Sequence, residues 1–266
     1  GGNAAEGELL METNYFDAGC FCGNWPFRKL RRSSFDDLLE EHRGNGFTGG
    51  LVSDLSSVLY DDPTEGDRDL AARIKGTSYA LAMTVDPALQ TAACMAAKAG
   101  DLYAAAIRLY PCLHPYSLVS PRVRDVCRAA AEQNIPVIIT ARVEDARLSF
   151  LMPQKEVLLK DCMALAEQEP DTRLLLSGCY PSELLTWSPN GLPQNVWIDL
   201  SGIYKGMFPL PALLTAYPES KLIYSSFFPL LCLQSTFLQL ADTDLSPDIR
   251  RKLLSENCRE LLNGPA

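Results

Sequence analysis

The sequence predicts a single α/β domain folded as a (β/α)₈ TIM barrel. Three observations lead to this prediction: the length of 266 residues, the hydrophobic fraction of 47%, and eight β-rich runs that alternate with helical patterns. Strands that alternate with helices form a parallel sheet. At this length, closure into a barrel is favoured over an open doubly wound sheet. No Gly-x-Gly-x-x-Gly follows a predicted strand, which weakens the dinucleotide-binding form of that open alternative. We expect a tail over residues 1–13 and the barrel domain over residues 14–266.

Each predicted strand is a short run rich in apolar and β-branched residues, bounded by turn residues. The eight runs are Tyr15–Cys20, Thr48–Asp54, Ser78–Thr84, Tyr103–Tyr110, Pro136–Thr140, Arg173–Ser177, Val196–Ser201 and Lys221–Ser226. The sequence thus supplies one strand for each position of an eight-stranded barrel.

The predicted helices follow these strands and show an apolar face at helical spacing. They are Phe35–His42, Arg68–Lys75, Ala88–Ala99, Pro121–Gln133, Lys155–Glu167, a short helix near Ser182–Trp187, another near Leu210–Ala216, and Pro247–Leu262. Ser120-Pro121 and Ser246-Pro247 are typical helix starts, with a capping serine before a proline at the first helical position, and Asp86-Pro87 predicts a similar start before Ala88.

The charge and the cysteines limit the classes of partner and compartment. The net charge of −9 opposes nucleic-acid binding. No apolar run of membrane-spanning length and no signal pattern occurs. A basic cluster at residues 28–32 could bind a phosphate, although such clusters are more typical of a solvated loop. The nine cysteines are odd in number, and four lie in predicted helices, which indicates buried thiols in a reducing cytoplasm.

The alternation of strand residues predicts which side chains face the barrel interior. The outward face must be apolar because helices cover it. Ile107 and Leu109 therefore face outward in the fourth strand, and Arg108 and Tyr110 face inward. The same rule, applied to the fifth and seventh strands, gives an inward set at the barrel mouth: Arg108, Tyr110, Thr140, Arg142, Trp197, Asp199 and Ser201.

Two arginines and an aspartate at a barrel mouth have two interpretations. In the first, Asp199 pairs with an arginine and only closes the barrel. In the second, Arg108 and Arg142 converge on a small anion, because arginines in a low dielectric bind carboxylate and phosphate well. Both interpretations place the polar residues at the carboxyl ends of the strands, where barrel enzymes have their sites.

Six segments, taken in order, resemble amidohydrolase-related TIM-barrel hydrolases. The first, residues 16–27, reads FDAGCFCGNWPF and is similar to the family's first strand, which has the form apolar-Asp-x-His-x-His-x-Gly, often with a following Trp-Pro. The others are Arg108–Pro111 with His114–Leu118, Ile135–Arg142, Asn195–Ser201, Tyr224–Pro229 and Asn257–Leu262. The resemblance covers the chain from about residue 14 to its end and implies a metal-dependent hydrolase in a TIM barrel.

The resemblance fails at the metal ligands. It implies two histidines on the first strand, histidines on strands 5 and 6, and an aspartate on strand 8. The corresponding residues here are Gly19, Phe21, Thr140, Gly178 and Phe227, none of which supplies an imidazole or a carboxylate. The chain has only two histidines, and His42 is expected on a helix surface. We therefore expect no metal and no other cofactor, with the rings of Phe21 and Phe227 in contact across the former metal position.

The cysteines offer one alternative metal site. A register shifted by one residue would bring Cys20 and Cys22 into the histidine positions, and Cys112 and Cys179 also lie near strand ends. Four thiolates could then bind zinc. The spacing of Asp17 and Gly23 favours the unshifted register, in which these cysteines are small buried hydrophobic residues.

Candidate catalytic residues are few. The sequence has no Gly-x-Ser-x-Gly elbow and no phosphate-binding Gly-x-x-x-x-Gly-Lys motif. Asp199 could act as a general base if burial raises its pKa. His114 could act as a base or could bind a backbone carbonyl in its proline-rich loop. Cys179 could act as a nucleophile if His114 reached it.

Two functions follow from these residues. The first is a pseudoenzyme or small-anion-binding protein that keeps the amidohydrolase-like barrel without its metal. The alternative is a metal-independent hydrolase, lactonase-like or esterase-like, that acts on a small carboxylate. Because a fold does not determine its function, the sequence leaves open whether the protein is an enzyme.

Overall fold

The structure, a computed structural model, describes residues 14–264 and contains one parallel sheet of eight strands in sequential order. The strands are β1 (Tyr15–Cys22), β2 (Phe47–Asp54), β3 (Tyr79–Val85), β4 (Ala106–Leu109), β5 (Val137–Thr140), β6 (Leu174–Ser177), β7 (Val196–Asp199) and β8 (Leu222–Ile223). Each strand overlaps its predicted run, and the predicted fold class is confirmed. The predicted tail, residues 1–13, lies outside the described residues.

Backbone hydrogen bonds between β1 and the chain around the end of β8 complete the barrel. The N–H of Ala18 donates to the carbonyl of Tyr224 at 3.1 Å, and the N–H of Phe227 donates to the carbonyl of Gly19 at 2.8 Å. The N–H of Phe21 donates to the carbonyl of Phe228 at 2.7 Å. These bonds satisfy strand groups that an open sheet would leave at its edges.

Helices follow the strands and cover the outside of the barrel. They are α1 (Phe35–Gly44), α2 (Thr64–Ile74), α3 (Ala92–Asp101), α4 (Pro121–Glu132), α5 (Leu159–Gln168), α6 (Pro181–Trp187), α7 (Leu210–Ala216), α8 (Leu233–Asp242), α9 (Pro247–Arg251) and α10 (Asn257–Asn263). A π-turn over Lys252–Glu256 joins the last two helices. No helix within residues 14–264 combines the length and the apolar character needed to cross a membrane.

Several helix predictions need correction. The helices predicted from Arg68 and Lys155 begin at Thr64 and Leu159. The helix predicted from Ala88 begins at Ala92, because Thr91 caps it by accepting from the N–H of Cys94 at 3.2 Å. The Asp86 carboxylate instead accepts from the N–H of Ala88 at 2.8 Å and forms a turn. Helix α8 was not predicted, because proline and a run of apolar residues precede it and hide its periodicity. The predicted start at Ser246-Pro247 is confirmed.

The barrel interior is arranged in layers, as side chains two residues apart on a strand point the same way. The lower layer takes one apolar residue from each strand: Ala18, Leu51, Ala82, Ala106, Ile138, Leu175, Trp197 and Ile223. The middle layer holds the residues two positions further along, together with Gly19, which directly follows Ala18 where the register of β1 is irregular. These residues are Gly19, Ser53, Thr84, Arg108, Thr140, Ser177, Asp199 and Ser225. A second apolar cluster, which includes Phe21, Tyr110 and Phe227, closes the barrel above them. The polar layer therefore lies between two apolar ones.

Candidate functional site

The centre of the polar layer is the guanidinium of Arg108, which has no exposed surface. Its Nη1 donates to the Thr140 hydroxyl at 3.2 Å and to the Ser177 hydroxyl at 3.4 Å. Within residues 14–264, no carboxylate lies at ion-pair distance from this guanidinium. A fully buried positive charge bonded only to two hydroxyl groups is energetically costly.

Asp199 lies on the other side of Ser177 and is hydrogen-bonded on both carboxylate oxygens. Its Oδ2 accepts from Ser177 Oγ at 2.5 Å, and its Oδ1 accepts from Ser201 Oγ at 2.6 Å. The N–H groups of Ser201 and Gly178 donate to the same Oδ1 at 3.1 and 3.3 Å. Burial raises the pKa of Asp199, while the two hydroxyl groups and the charge of Arg108 oppose that rise. Ser177 thus connects Asp199 to Arg108, and the two charges make no direct ion pair.

Several buried polar atoms near Arg108 have no hydrogen-bond partner among the described residues. They are Nε and Nη2 of Arg108, the hydroxyl of Tyr110 and Oγ1 of Thr84. Burial raises the pKa of Tyr110 well above its usual value, so its hydroxyl remains a hydrogen-bond donor. Each buried polar group without a partner costs roughly 1–3 kcal/mol, and such groups often mark a bound water or ion.

The apolar cluster above the polar layer contains the predicted contact of two phenylalanines. The ring centroids of Phe21 and Phe227 are 5.1 Å apart in an edge-to-face arrangement, so the expected contact is confirmed. The guanidinium carbon of Arg108 lies 4.9 Å from the centre of the Phe21 ring. Phe227 has a φ of 55°, which is unusual for a residue with a side chain and costs about 1–2 kcal/mol. The surrounding contacts hold this ring over the barrel axis.

Three loops meet above this cluster at the carboxylate of Glu144. The indole N–H of Trp25, in the loop after β1, donates to Glu144 Oε1 at 2.7 Å. Arg28 Nε donates to the same oxygen at 2.8 Å, and Arg28 Nη2 donates to the carbonyl of Leu230 after β8. The predicted basic cluster is thus partly used inside the protein. One cleft at this end, lined in part by Arg142 and Phe227, has a volume of about 10 Å³, enough for a single water.

Arg142 does not converge with Arg108 on a common ligand position. It lies beyond the end of β5, where its Nη2 donates to Glu183 Oε1 at 2.8 Å and its Nη1 donates to the carbonyl of Gly178 at 2.8 Å. Its guanidinium also stacks on the Tyr180 ring at 3.8 Å. The charge of Arg142 is therefore balanced by a protein carboxylate. The expected pocket, in which Arg108 and Arg142 bind one anion together, is not formed.

Two other predicted positions need correction. Trp197 faces inward but lies in the lower apolar layer, with the Lys221 ammonium 3.5 Å from its ring centre, and so it does not line the mouth. The inward residue of β6 is Ser177, the register partner of Thr140, instead of Gly178. Gly178 has a φ of 76°, and a Cβ there would lie 2.4 Å from the carbonyl oxygen of Arg142.

His42 was expected on a helix surface, and the structure buries it completely. It lies on the inner face of α1, where Nε2 is 3.1 Å from Asp17 Oδ2 and Nδ1 is 2.7 Å from the Tyr79 hydroxyl. Asp17 also accepts from the N–H groups of Gly19 and Ser226, each at 3.0 Å. This network joins β1, α1 and the end of β8 on the helix side of the barrel.

His114 and the cysteines form no catalytic arrangement with each other. His114 Nε2 lies 2.8 Å from the carbonyl oxygen of Val58, and its Nδ1 is 3.7 Å from Asp86 Oδ2, so it joins the loops after β2, β3 and β4. Cys179 is buried in the layer between strands and helices, and burial raises its pKa well above the usual value. A nucleophilic thiolate requires a lowered pKa.

The residues at the barrel mouth do not fit a divalent metal. Two phenyl rings and a guanidinium occupy the space where the resemblance implies the ion. Position 19 also has no room for a ligand side chain, because a Cβ placed on Gly19 would lie 2.1 Å from Ser225 Oγ. The described residues do include one group of possible ligands: Asp17, Cys20 and His42, whose ligand atoms lie within 4.8 Å of one another. That group is on the helix side of β1, where Cys22 is also buried, and not at the mouth.

Comparison with known proteins finds no matching family model and no matching curated protein. Solved structures do match. One is a 2,6-dihydroxybenzoate decarboxylase complexed with 2,6-dihydroxybenzoate, at a TM-score of 0.74 and 13% identity over 94% of this chain and 99% of that chain. Another is a dihydroxybenzoic acid decarboxylase from Polaromonas with bound manganese and the inhibitor 2-nitroresorcinol, at 0.72 and 12% over 94% and 96%.

A third match is amidohydrolase 2 from Bifidobacterium longum subsp. infantis, at a TM-score of 0.65 and 18% identity over 94% of this chain and 98% of that chain. The resemblance to amidohydrolase-related barrels is thereby confirmed at the level of the fold. At such identities, the likeness describes the barrel and not the reaction.

Sequence reasoning missed several residues of the site. Ser177, Thr84 and Ser225 all lie two residues beyond a residue of the lower apolar layer, and this spacing was a usable signal. Glu144 had no such signal. It is a loop residue whose partners, Trp25 and Arg28, are more than a hundred positions away.

Proposed function

We propose that this protein is a non-catalytic barrel with the amidohydrolase fold, in which its own side chains occupy the place of the divalent metal. The observation that carries the proposal is the joint position of Phe21, Phe227 and Arg108 at the barrel mouth. Loss of every implied ligand indicates a changed role more strongly than loss of one or two would.

Electrostatics supports the same conclusion. A divalent cation near the fully buried guanidinium of Arg108 would be repelled, and the low dielectric of the interior makes such repulsion strong. Asp199, the one carboxylate in this layer, already accepts from two hydroxyls and two N–H groups. The polar layer is thus assembled around a fixed protein cation.

The closed mouth supports a role without turnover of a substrate. The cleft of about 10 Å³ has no room for an aromatic acid of the kind that the similar decarboxylases bind. The Trp25 and Arg28 bonds to Glu144 would have to break before such a molecule could enter. We also propose a cytoplasmic location, supported by nine free cysteines of which seven are buried.

The test is an assay of decarboxylation of 2,6-dihydroxybenzoate with added manganese or zinc, next to an authentic decarboxylase. We expect no release of carbon dioxide above the uncatalysed rate. Metal-dependent turnover that copurifies with the protein, and that is lost in Asp199→Asn, would contradict the proposal.

Asp199 favours a second candidate, a metal-independent hydrolase acting on a small carboxylate lactone or ester. A buried carboxyl group with a raised pKa, beside the hydroxyls of Ser177 and Ser201, is suited to general-base chemistry. A panel of lactones and esters separates the two candidates. Hydrolysis by the wild type that disappears in Asp199→Asn, with the fold intact, would support the enzyme, whereas equal rates for both proteins would count against it.

A further inference from the structure

We infer that the barrel interior binds one small monovalent anion, of the size of a halide or formate, at Arg108, Tyr110 and Thr84. The inference rests on the metal-free mouth proposed above, since a divalent cation there would compete for the same position. The sequence predicted an anion site with two arginines, Arg108 and Arg142. The inferred site contains Arg108 alone of the two, because Arg142 is already paired with Glu183.

The unpartnered donors lie on two adjacent strands and on the same side of each. Thr84 and Arg108 are register partners of β3 and β4, and Tyr110 is two residues further along the chain from Arg108. All three side chains are fully buried and face inward. Arg108 Nε and Nη2 have no acceptor within hydrogen-bond distance, and the Tyr110 hydroxyl lies near the hydroxyls of Thr84 and Ser53 without a well-formed hydrogen bond to either.

An anion explains these atoms better than water does. A water molecule could accept from some of these donors, but it would leave the charge of Arg108 without a counterion within ion-pair distance. An anion accepts hydrogen bonds from the guanidinium and both hydroxyls and also balances the charge. Hydrogen bonds between charged partners are the stronger ones, which favours retention of the ion in a dry interior.

The closed mouth limits the size of the anion. The rings of Phe21 and Phe227 meet above Arg108, and the cleft outside them has a volume of about 10 Å³. Larger anions such as gluconate or citrate are therefore excluded from the site. Exchange of a small anion requires a transient displacement of the Phe21 and Phe227 rings as well as opening of the loops that meet at Glu144.

The experiment measures the unfolding temperature (Tm) of the wild type in bromide, formate and gluconate at constant ionic strength. We expect the Tm to rise by about 3–5 °C for each tenfold increase in bromide or formate above its Kd, and to stay constant in gluconate. Arg108→Met should abolish the dependence. Arg124→Met should retain it, because Arg124 lies on the outside and its partner Glu169 remains paired with Arg128.

Tyr110→Phe keeps the inference testable if Arg108→Met does not fold. With a bound anion, loss of the hydroxyl should weaken the bromide dependence severalfold. An interior without an anion predicts instead that Tyr110→Phe raises the Tm equally in all salts, because it only removes an unpartnered hydroxyl. That result, together with a flat wild-type response, would overturn the inference.

Crystals soaked in bromide provide the structural readout. An anomalous peak at Arg108 in the wild type, absent in Arg108→Met, would support the site, and ordered water alone in that position would overturn it. Metal content measured on the same preparations separates the two proposals. A metal-free protein without halide dependence overturns only the anion site, whereas a protein with metal at the mouth overturns both.

Discussion

Removal of the Phe227 ring tests whether the apolar cluster at the barrel mouth is a packed part of the core. Phe227 is 2% exposed and packs edge-to-face on Phe21. Truncation of a buried phenylalanine to alanine usually costs about 3–5 kcal/mol. For a chain of this size, that loss corresponds to a fall in Tm of roughly 6–20 °C. We expect Phe227→Ala to fall in this range.

The pair itself contributes beyond the loss of apolar area. Edge-to-face aromatic pairs add about 0.5–1.5 kcal/mol to the burial of the rings. A double-mutant cycle of Phe21→Ala and Phe227→Ala, measured by urea unfolding, should return a coupling energy in that range. Additive effects of the two changes would mean that the rings do not interact.

A second phenylalanine on the same face of the barrel provides the control. Phe150 lies in the loop after β5 and is 77% exposed, so Phe150→Ala should change stability by less than about 0.5 kcal/mol. If Phe227→Ala were as mild as Phe150→Ala, the ring would not fill the mouth. The mouth would then have room for the metal ion that the side chains are proposed to replace.

Three further predictions address other parts of the molecule. Asp17→Ala should cost about 3–5 kcal/mol in urea unfolding, because it leaves His42 and two buried N–H groups without their partner, whereas the exposed Asp36→Ala should be near neutral. A thiol-specific reagent should label the exposed Cys232 first and Cys94 slowly, with the seven buried cysteines reacting only on unfolding; fast labelling of Cys20 or Cys179 would contradict the described packing. Lys98 lowers the pKa of Asp62 to about 2. The contribution of this pair to the free energy of unfolding is therefore present above a pH of about 4 and is lost as the pH falls towards 2. Asp62→Asn should flatten that part of the curve of stability against pH, and an unchanged curve would contradict the pairing.

The sequence was sufficient to predict the strands and, in β4, the direction of the side chains. Ile107 and Leu109 identified the outward face of β4, and Arg108 and Tyr110 lie inside as expected. The rule succeeds because side-chain direction alternates strictly along a strand and because the outer face must be apolar. It does not specify height along the barrel axis, which explains why Trp197 was expected at the mouth and lies in the lower layer.

The partners of the polar residues could not be predicted. Arg142 pairs with Glu183 from α6, a residue 41 positions away, and Arg28 pairs with Glu144 at a separation of 116. Ion pairs of this kind depend on how loops and helices meet, which strand periodicity does not describe. The burial of His42 was missed for a related reason. A histidine on an apolar helix face is compatible with either environment until its partner, here Asp17, is located.

The metal content of the purified protein shows whether the barrel mouth holds a divalent ion. The protein should be produced with ample manganese and zinc, dialysed without chelator and subjected to elemental analysis, in parallel with Cys20→Ser to remove a ligand from the helix-side group. We predict no stoichiometric transition metal in either protein. About one tightly held metal ion per chain that persists in Cys20→Ser would place an ion at the barrel mouth and contradict the proposed metal-free barrel.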